Sequence, residues 1–164
     1  MFNTRNTFYV LLILSFCYSC QIISSAKDNN LPVDLILDTD MGFAFDDVGA
    51  LAMLHALADS GQVNILGIVS SNNNELSVPC INLINVYYGK ETIPTGATKN
   101  EQAINLAPVG ETKWTEKLVS KYHHTIKSNT EIHNAVTIYR KLLIDAEDKS
   151  VTICSIGLLT NLSD

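Results

Sequence analysis

The sequence has no run of basic residues and no excess of positive charge. Lysine and arginine together number 11 against 17 aspartate and glutamate residues, which gives a formal net charge of -6 at pH 7. A surface that binds nucleic acid normally carries clustered lysine and arginine. The composition therefore argues against nucleic acid, or another polyanion, as a partner.

Cysteine is also scarce, with 4 residues in a chain of 164. Cys17 and Cys20 lie in or beside an apolar amino-terminal run and have no second Cys-x-x-Cys pair that would complete a zinc site. Cys80 and Cys154 remain, one at the start of an apolar helix-like segment and one in a strand-like run. We therefore expect two separate buried thiols rather than a disulfide.

The apolar run at residues 8–17 is too short for a comfortable transmembrane helix. It follows an arginine and precedes small residues at 24–26, a pattern typical of a secretory signal peptide. We predict a signal peptide at residues 1–26, a polar linker at 27–32, and an exported protein that is periplasmic or extracellular. Two other interpretations stay open. The segment is a buried first helix, or it is a lipoprotein signal that ends before Cys20, which would then carry a lipid anchor to a membrane surface.

Residues 33–164 alternate between strand-like apolar runs and helix-like periodicity. The predicted strands are 33–37, 63–69, 93–96 and 150–155, and the predicted helices are 46–58, 76–88 and 133–146. Such alternation predicts βαβ units, and hence an α/β domain with an open, mostly parallel sheet and helices on both faces. Residues 97–130 show only weak periodicity and are predicted to form a long loop, which in a compact domain is often functional.

Four carboxylates stand where the first predicted strand meets the first predicted helix, namely Asp38, Asp40, Asp46 and Asp47. Acids this dense after a buried strand are unfavourable unless something cationic binds them. Their oxygens suit calcium or magnesium, but no glutamate closes the roughly twelve-residue loop of an EF-hand. Helix capping would explain Asp46 and Asp47 but leaves the first pair unexplained. A hard-metal site is therefore the first hypothesis.

Other polar segments also follow predicted strands. An asparagine run occupies residues 72–74, and a Ser155-Ile156-Gly157 turn follows the last strand. In an open α/β sheet, ligands bind beyond the carboxyl ends of the strands, so we expect these segments to meet the acids at one edge. None of the histidines has a serine or cysteine partner at a recognisable nucleophile turn, which argues against a nucleophilic triad.

The order of these motifs resembles the inosine-uridine preferring nucleoside hydrolase family. The resemblance rests on Asp38-Thr39-Asp40-Met41-Gly42, the Asp46-Asp47 pair, an Ala-Leu-rich helix, the 66–68 and 93–97 segments, and Gly157-Leu158-Leu159-Thr160-Asn161-Leu162. It implies a Rossmann-like fold and a bound Ca²⁺. It also implies hydrolysis of the N-glycosidic bond of ribonucleosides to ribose and a free base, a reaction of purine and pyrimidine salvage.

The resemblance further implies a set of metal ligands. By position in the motif, Asp40 would bind calcium and act as general base, and Asp47 would be the second carboxylate ligand. The backbone carbonyl of Ile156 would be the main-chain ligand, with Asp38 as an additional candidate.

Two residues would contact the substrate by the same resemblance. Asp46 would hydrogen-bond the ribose, and Asn74 would correspond to an asparagine that contacts the nucleoside. The sequence departs from the family pattern at Ala44. The related form of the acidic motif with the longer spacing carries an acid at this position, and here the alanine is flanked by the bulky Phe43 and Phe45.

Members of the family are longer, and their later half supplies another calcium-ligating aspartate and a histidine near the leaving base. We therefore expect the 33–164 domain to be incomplete at its carboxyl end and its activity to be impaired, and the resemblance implies a homo-oligomer. Two alternatives stay open. One is a non-catalytic remnant that binds ribose or calcium. The other is a different metal-dependent α/β phosphohydrolase, in which the first aspartate of the Asp-x-Asp pair is the nucleophile.

Overall fold

The structure is a computed structural model that describes residues 31–108, 110 and 112–164. The predicted signal peptide at 1–26 and most of the predicted linker at 27–32 lie outside the described residues. Within the described part of the chain, no helix is long and apolar enough to cross a membrane.

The strands form one parallel sheet. They are β1 (Val33–Thr39), β2 (Val63–Ser70), β3 (Thr95–Ala97), β4 (His133–Asn134) and β5 (Val151–Ser155). Their order across this five-stranded sheet is β4-β3-β2-β1-β5, and each neighbouring pair is parallel. β1, which carries the first acids, therefore lies inside the sheet.

Helices cover both faces of the sheet. They are α1 (Asp46–Asp59), α2 (Ser77–Tyr87), α3 (Trp114–Lys121), α4 (Ala135–Leu143) and α5 (Thr160–Ser163), with a 3-10 turn at Asn129–Glu131. Residues of α1, α2 and α3 share one hydrophobic core with Leu37 and Ile68. Residues of α4 form a second core with Ile36 and Val69 on the other face. The prediction of an α/β fold with helices on both faces is confirmed.

The last four residues of β1 and of β2 are buried. Successive side chains of a strand point to opposite faces, so Ile36 enters one core and Leu37 enters the other. A strand covered on both sides must be apolar throughout, which explains the continuous apolar runs of the sequence. Asp38 lies at the most buried end of β1, and its carboxylate must therefore find partners inside the protein.

Gly96 allows α4 to approach the sheet closely. A Cβ atom on this glycine would lie 2.9 Å from Ile138 Cγ1 and 3.0 Å from Ala135 Cα, which is too close for any other residue without a shift of the helix. The close packing brings Tyr139, on the next turn of α4, over the end of β1, where it contacts Asp38.

The predicted elements are present, with two main differences. The predicted long loop at 97–130 contains α3 and the 3-10 turn. The predicted helix at 133–146 divides into β4 and α4, because His133 pairs with Gly96 of β3 and the Asn134 side chain caps the helix at Val136 N, 2.9 Å away. Among the described residues, Cys80 and Cys154 are both free thiols, as predicted. Cys80 is buried, but the prediction of a buried Cys154 is wrong, because this residue is only partly buried.

Candidate active site

The carboxyl ends of β1, β2 and β5 meet at one edge of the sheet. In the parallel register, Asp38 of β1 lies beside Val69 of β2 and Ser155 of β5. Neighbouring strands lie about 4.8 Å apart, so the segments that follow these positions are close to one another. These segments include Asp40 after β1 and Ile156 after β5.

Gly157 lets the turn after β5 press against the end of β1. A Cβ atom at this position would lie 2.4 Å from Asp40 N and 2.7 Å from Ser71 Oγ. The Ile156 N–H donates to the Asp38 carbonyl at 2.8 Å. The turn therefore holds Ile156 beside Asp40, and only glycine at 157 leaves room for this approach.

Ser71 and Asn72, which follow β2, bind the same segments together. The Ser71 N–H donates to the Thr39 carbonyl at 2.9 Å, and the Ser71 hydroxyl accepts from Leu158 N at 3.0 Å. The Asn72 side chain donates to the Asp40 carbonyl at 3.2 Å. Sequence reasoning assigned neither residue this role, because a serine or asparagine after a strand does not reveal which backbone it will contact.

Three of the acids gather at this edge. Asp47 lies in the first turn of α1 and is only 2% exposed, and the Thr39 hydroxyl donates a hydrogen bond to its carboxylate. Asp40 is partly buried, whereas its neighbour in the cluster, Asp46, is exposed to solvent. The helix therefore turns one acid of the Asp46-Asp47 pair inward and leaves the other accessible from outside.

Burial and mutual repulsion raise the pKa of two of these carboxyl groups. Removal from water is the largest cause for Asp47; the Thr39 hydrogen bond opposes it, and the charges of Asp40 and Asp46 add to it, so that its pKa rises to about 6. Burial also raises the pKa of Asp40, again with a contribution from Asp46. The cluster concentrates negative charge at a cost that a bound cation would relieve.

Asp38 lies in a different environment from these three acids. It has 0% exposed surface; Tyr139 Oη donates to one of its carboxylate oxygens at 2.9 Å, and Asn161 Nδ2 lies 3.2 Å from both. Burial raises its pKa in spite of these hydrogen bonds. The structure therefore places Asp38, a candidate ligand by sequence, between β1, α4 and α5 and apart from the accessible acids.

The side chain of Asn74, the predicted substrate contact, is directed toward Asn105. Its side-chain Nδ2 donates to Asn105 Oδ1 at 3.1 Å, and its Oδ1 accepts from Leu76 N at 3.0 Å. In the structure it therefore supports the loop that borders the edge, and its proposed contact with substrate stays a prediction.

The oxygen atoms at this edge suit a hard cation. Asp40 and Asp47 supply carboxylates close to each other, and the backbone carbonyl of Ile156 belongs to the turn that packs against Asp40. Calcium takes roughly six to eight oxygen ligands of these types, so water or substrate hydroxyls would complete its shell. Across residues 31–108, 110 and 112–164, no group of three or more histidine, cysteine, aspartate or glutamate side chains is arranged so that it could hold a metal ion. The donor types at this edge suit calcium, but they supply at most part of its coordination shell, and calcium binding here stays a prediction.

Comparisons with known proteins identify the family of the chain. No curated protein sequence matches the chain. A family model described as inosine-uridine preferring nucleoside hydrolase matches residues 35–163, which includes every acid of the edge and the turn after β5. A match over this much of the chain shows the family, and the chain belongs to the inosine-uridine preferring nucleoside hydrolases.

Proposed function

We propose that this protein hydrolyses the N-glycosidic bond of ribonucleosides, with Ca²⁺ bound at the carboxyl edge of the sheet. Membership of the family supports a nucleoside hydrolase-type function. The proposal of calcium-dependent hydrolysis at this edge rests on one observation, the proximity of Asp40 and Asp47 to the Ile156-Gly157 turn. These groups lie at the carboxyl ends of parallel strands, where α/β proteins bind their ligands.

The acids have distinct roles in this proposal. Asp40, Asp47 and the Ile156 carbonyl would hold the calcium ion, which would supply a more acidic water close to the sugar. Asp40, which is partly open to solvent, accepts the proton of a water molecule as the oxygen of that water attacks the anomeric carbon. The Thr39 hydroxyl holds the Asp47 carboxylate in place as the second carboxylate ligand.

In this proposal the exposed Asp46 accepts hydrogen bonds from ribose hydroxyls. The bond from the anomeric carbon to the base nitrogen breaks as the new carbon–oxygen bond forms. The base nitrogen takes up a proton from solvent water, and Asp40 later returns its own proton to solvent. Positive charge develops on the sugar as this bond breaks, as in O-glycoside hydrolysis. The nearby carboxylates stabilise that charge.

A phosphohydrolase is less well supported by the structure. That alternative needs the first aspartate of the Asp-x-Asp pair as a nucleophile. Asp38 has 0% exposed surface, and its carboxylate oxygens are hydrogen-bonded to Tyr139 and Asn161. A substrate cannot reach it without displacing these side chains.

A binding module without hydrolysis is the second candidate. The observation that favours it is the small number of protein ligands, since Asp40, Asp47 and Ile156 supply fewer oxygens than calcium prefers. Such a module would bind calcium and ribose at the same edge but would not break the glycosidic bond.

We also propose that the protein is exported, with residues 1–26 as a signal peptide. In the alternative form of this proposal, the signal ends before Cys20, which is then lipidated and anchors the protein to a membrane surface. Mass spectrometry of the secreted or membrane fraction distinguishes the two by the mature amino terminus.

Release of ribose from inosine and uridine tests the proposed function. The purified full chain should release ribose in the presence of calcium, and a chelator should abolish the release. Circular dichroism on the same samples shows whether the chelated protein stays folded. Folded protein that binds calcium yet releases no ribose would contradict hydrolysis and support the binding module.

A further inference from the structure

Phe43 and Phe45 are large apolar side chains that the structure leaves in solvent. Their exposed fractions are 43% and 62%, whereas Met41 at the start of the same loop has 0%. The loop connects Asp40 to Asp46, so both rings stand within a few residues of the acidic cluster. An apolar pair exposed beside a candidate active site indicates a ligand-binding surface rather than a core.

The loop that carries these rings is held firmly at its base. Gly42 has φ +118, and a Cβ atom there would meet Asn72 Nδ2 at 3.6 Å and Thr115 Cγ2 at 3.8 Å. At the other end, the Phe45 carbonyl accepts from Val48 N at 3.1 Å as α1 begins. The rings therefore project from a loop whose two ends are fixed.

Phe45 is also supported from one side by a second aromatic residue. Its ring centroid lies 5.2 Å from that of Trp114, at an interplanar angle of 40°. Trp114 is almost fully buried at the start of α3. This contact orients the Phe45 ring while most of its surface stays accessible.

The acids and the rings lie on one short segment from Asp40 to Asp47, in which Asp46 and both phenylalanines are exposed. Carboxylates and a bound cation suit the hydroxyl groups of a sugar, and an exposed aromatic ring suits the flat face of a heterocycle. A ribonucleoside carries both of these parts in one molecule. Because the acids and the rings belong to one short loop, a single ligand can contact both.

We propose that Phe43 and Phe45 form a wall against which the base of the nucleoside stacks. This inference rests on the proposed function, and it gives the departure around Ala44 a role in recognition of the base. The rings contribute to binding through the flat face of the base, so they favour nucleosides over free ribose. Purines, with the larger face, gain more than pyrimidines.

The test replaces each ring by a side chain that is apolar but not flat. Phe43→Leu and Phe45→Leu should each weaken nucleoside binding, by roughly tenfold for a lost stacking contact. Phe45→Trp keeps a flat ring and should retain the wild-type affinity, which is measured for this variant by calorimetry because it contains a second tryptophan. Tyr87→Leu is the matched control, because Tyr87 is 81% exposed on α2 and lies outside the loop that carries the acids.

Two readouts keep this inference separate from the activity itself. Trp114 is the chain's only tryptophan, so titration of its emission with inosine, uridine or ribose reports binding without turnover. We expect Phe45→Leu to raise the dissociation constant for inosine and to leave that for ribose unchanged. In the hydrolysis assay, KM should rise with kcat nearly constant, since uniform binding is lost.

Each outcome decides one of the two proposals. Unchanged inosine affinity in both leucine variants would overturn the stacking wall, even if ribose is released. Nucleoside binding that the variants weaken, without any ribose release, would support the wall and contradict hydrolysis. If the variants instead change only the oligomeric state, the rings form an interface between copies of the chain and the inference is wrong. Wild-type protein that binds calcium but no nucleoside would contradict both proposals.

Discussion

The two acids of the Asp-x-Asp pair are chemically identical but lie in different environments. Both stand near the end of β1, but Asp38 is buried under Tyr139, whereas Asp40 lies beyond the last strand residue and is partly exposed. The sequence predicts that the acids matter, because their density is unfavourable without a cation. It does not predict which one turns inward, since the partners of Asp38 lie 101 and 123 residues away along the chain.

Removal of the Tyr139 hydroxyl tests the structural role of Asp38. Tyr139→Phe takes one donor from a buried carboxylate and should lower the free energy of unfolding by about 1–3 kcal/mol. Tyr87→Phe, at an exposed position, should change it little. Urea unfolding of the two variants measures both effects. Equal stability of Tyr139→Phe and wild type would contradict the role of this hydrogen bond.

His55 should make stability depend on pH in a defined direction. It has 0% exposed surface, its Nε2 lies 2.9 Å from Asn85 Oδ1, and its ring stacks on Tyr88. Burial, the largest cause, lowers its pKa below the ordinary value of 6.5. A buried base with a lowered pKa contributes stability that is complete above the unfolded value and is lost as the pH falls below it.

The His55→Gln variant isolates this effect, because glutamine can still donate to Asn85 but does not titrate. We expect wild type to lose stability relative to His55→Gln as the pH falls from 7 to 5. Urea unfolding across this range gives the difference directly. A constant difference between the two proteins would show that the His55 side chain titrates normally.

At the scale of elements, the segments with strong periodicity were predicted well. α1, α2 and the strands β1 and β2 lie within two residues of their expected bounds. β4 was not predicted, because a strand of two residues has no periodicity and forms only by pairing with β3. α3 was missed for a related reason: its apolar stripe is short, and its position depends on Trp114 packing into the core that α1 and α2 share.

The turn after β5 offers the sharpest test at this scale. Gly157→Ala would place a methyl group 2.4 Å from Asp40 N, so the turn must move away from β1. We expect a loss of about 1–3 kcal/mol of stability, as for other overpacked sites, together with weaker calcium binding. Calorimetric titration with calcium and thermal unfolding measure these two effects.

A glycine-to-alanine substitution in α1 serves as the control for Gly157→Ala. A Cβ atom on Gly49 would meet nothing within 4 Å, and the residue lies in the helix interior. Gly49→Ala should therefore raise stability by about 0.5–1 kcal/mol and leave calcium affinity unchanged. If Gly157→Ala behaved like Gly49→Ala, the close approach of the turn to Asp40 would be wrong.

For the molecule as a whole, the family, the fold class and the acidic motif could all be predicted from the sequence. What could not be predicted are the contacts that join distant segments, such as Ser71 with Leu158 and Asn72 with Leu106. These side chains make ordinary hydrogen bonds, and such bonds leave no distinctive pattern in the amino-acid sequence. The edge of the sheet is assembled by the fold, and its chemistry comes from one short motif.

Calcium should stabilise the whole fold, and more so at neutral pH. Asp47, whose pKa burial raises to about 6, contributes stability at low pH that is lost as the pH rises through that value. Above it, the charged cluster gains from a cation. The rise in melting temperature on adding calcium should therefore be larger at pH 7 than at pH 5, and Asp47→Asn should reduce this difference. A rise that does not depend on pH would contradict the participation of Asp47.

The most direct test of the central claim compares one substitution at the two ends of β1. Asp40 directly follows the strand at the proposed site, and Asp34 lies near the other end of the strand, where it accepts from Asn64 Nδ2 at 2.9 Å. Ribose release from inosine, measured with saturating calcium, should be abolished in Asp40→Asn and retained in Asp34→Asn. Undiminished release by a folded Asp40→Asn protein would show that the acidic edge of the sheet is not where the glycosidic bond is broken.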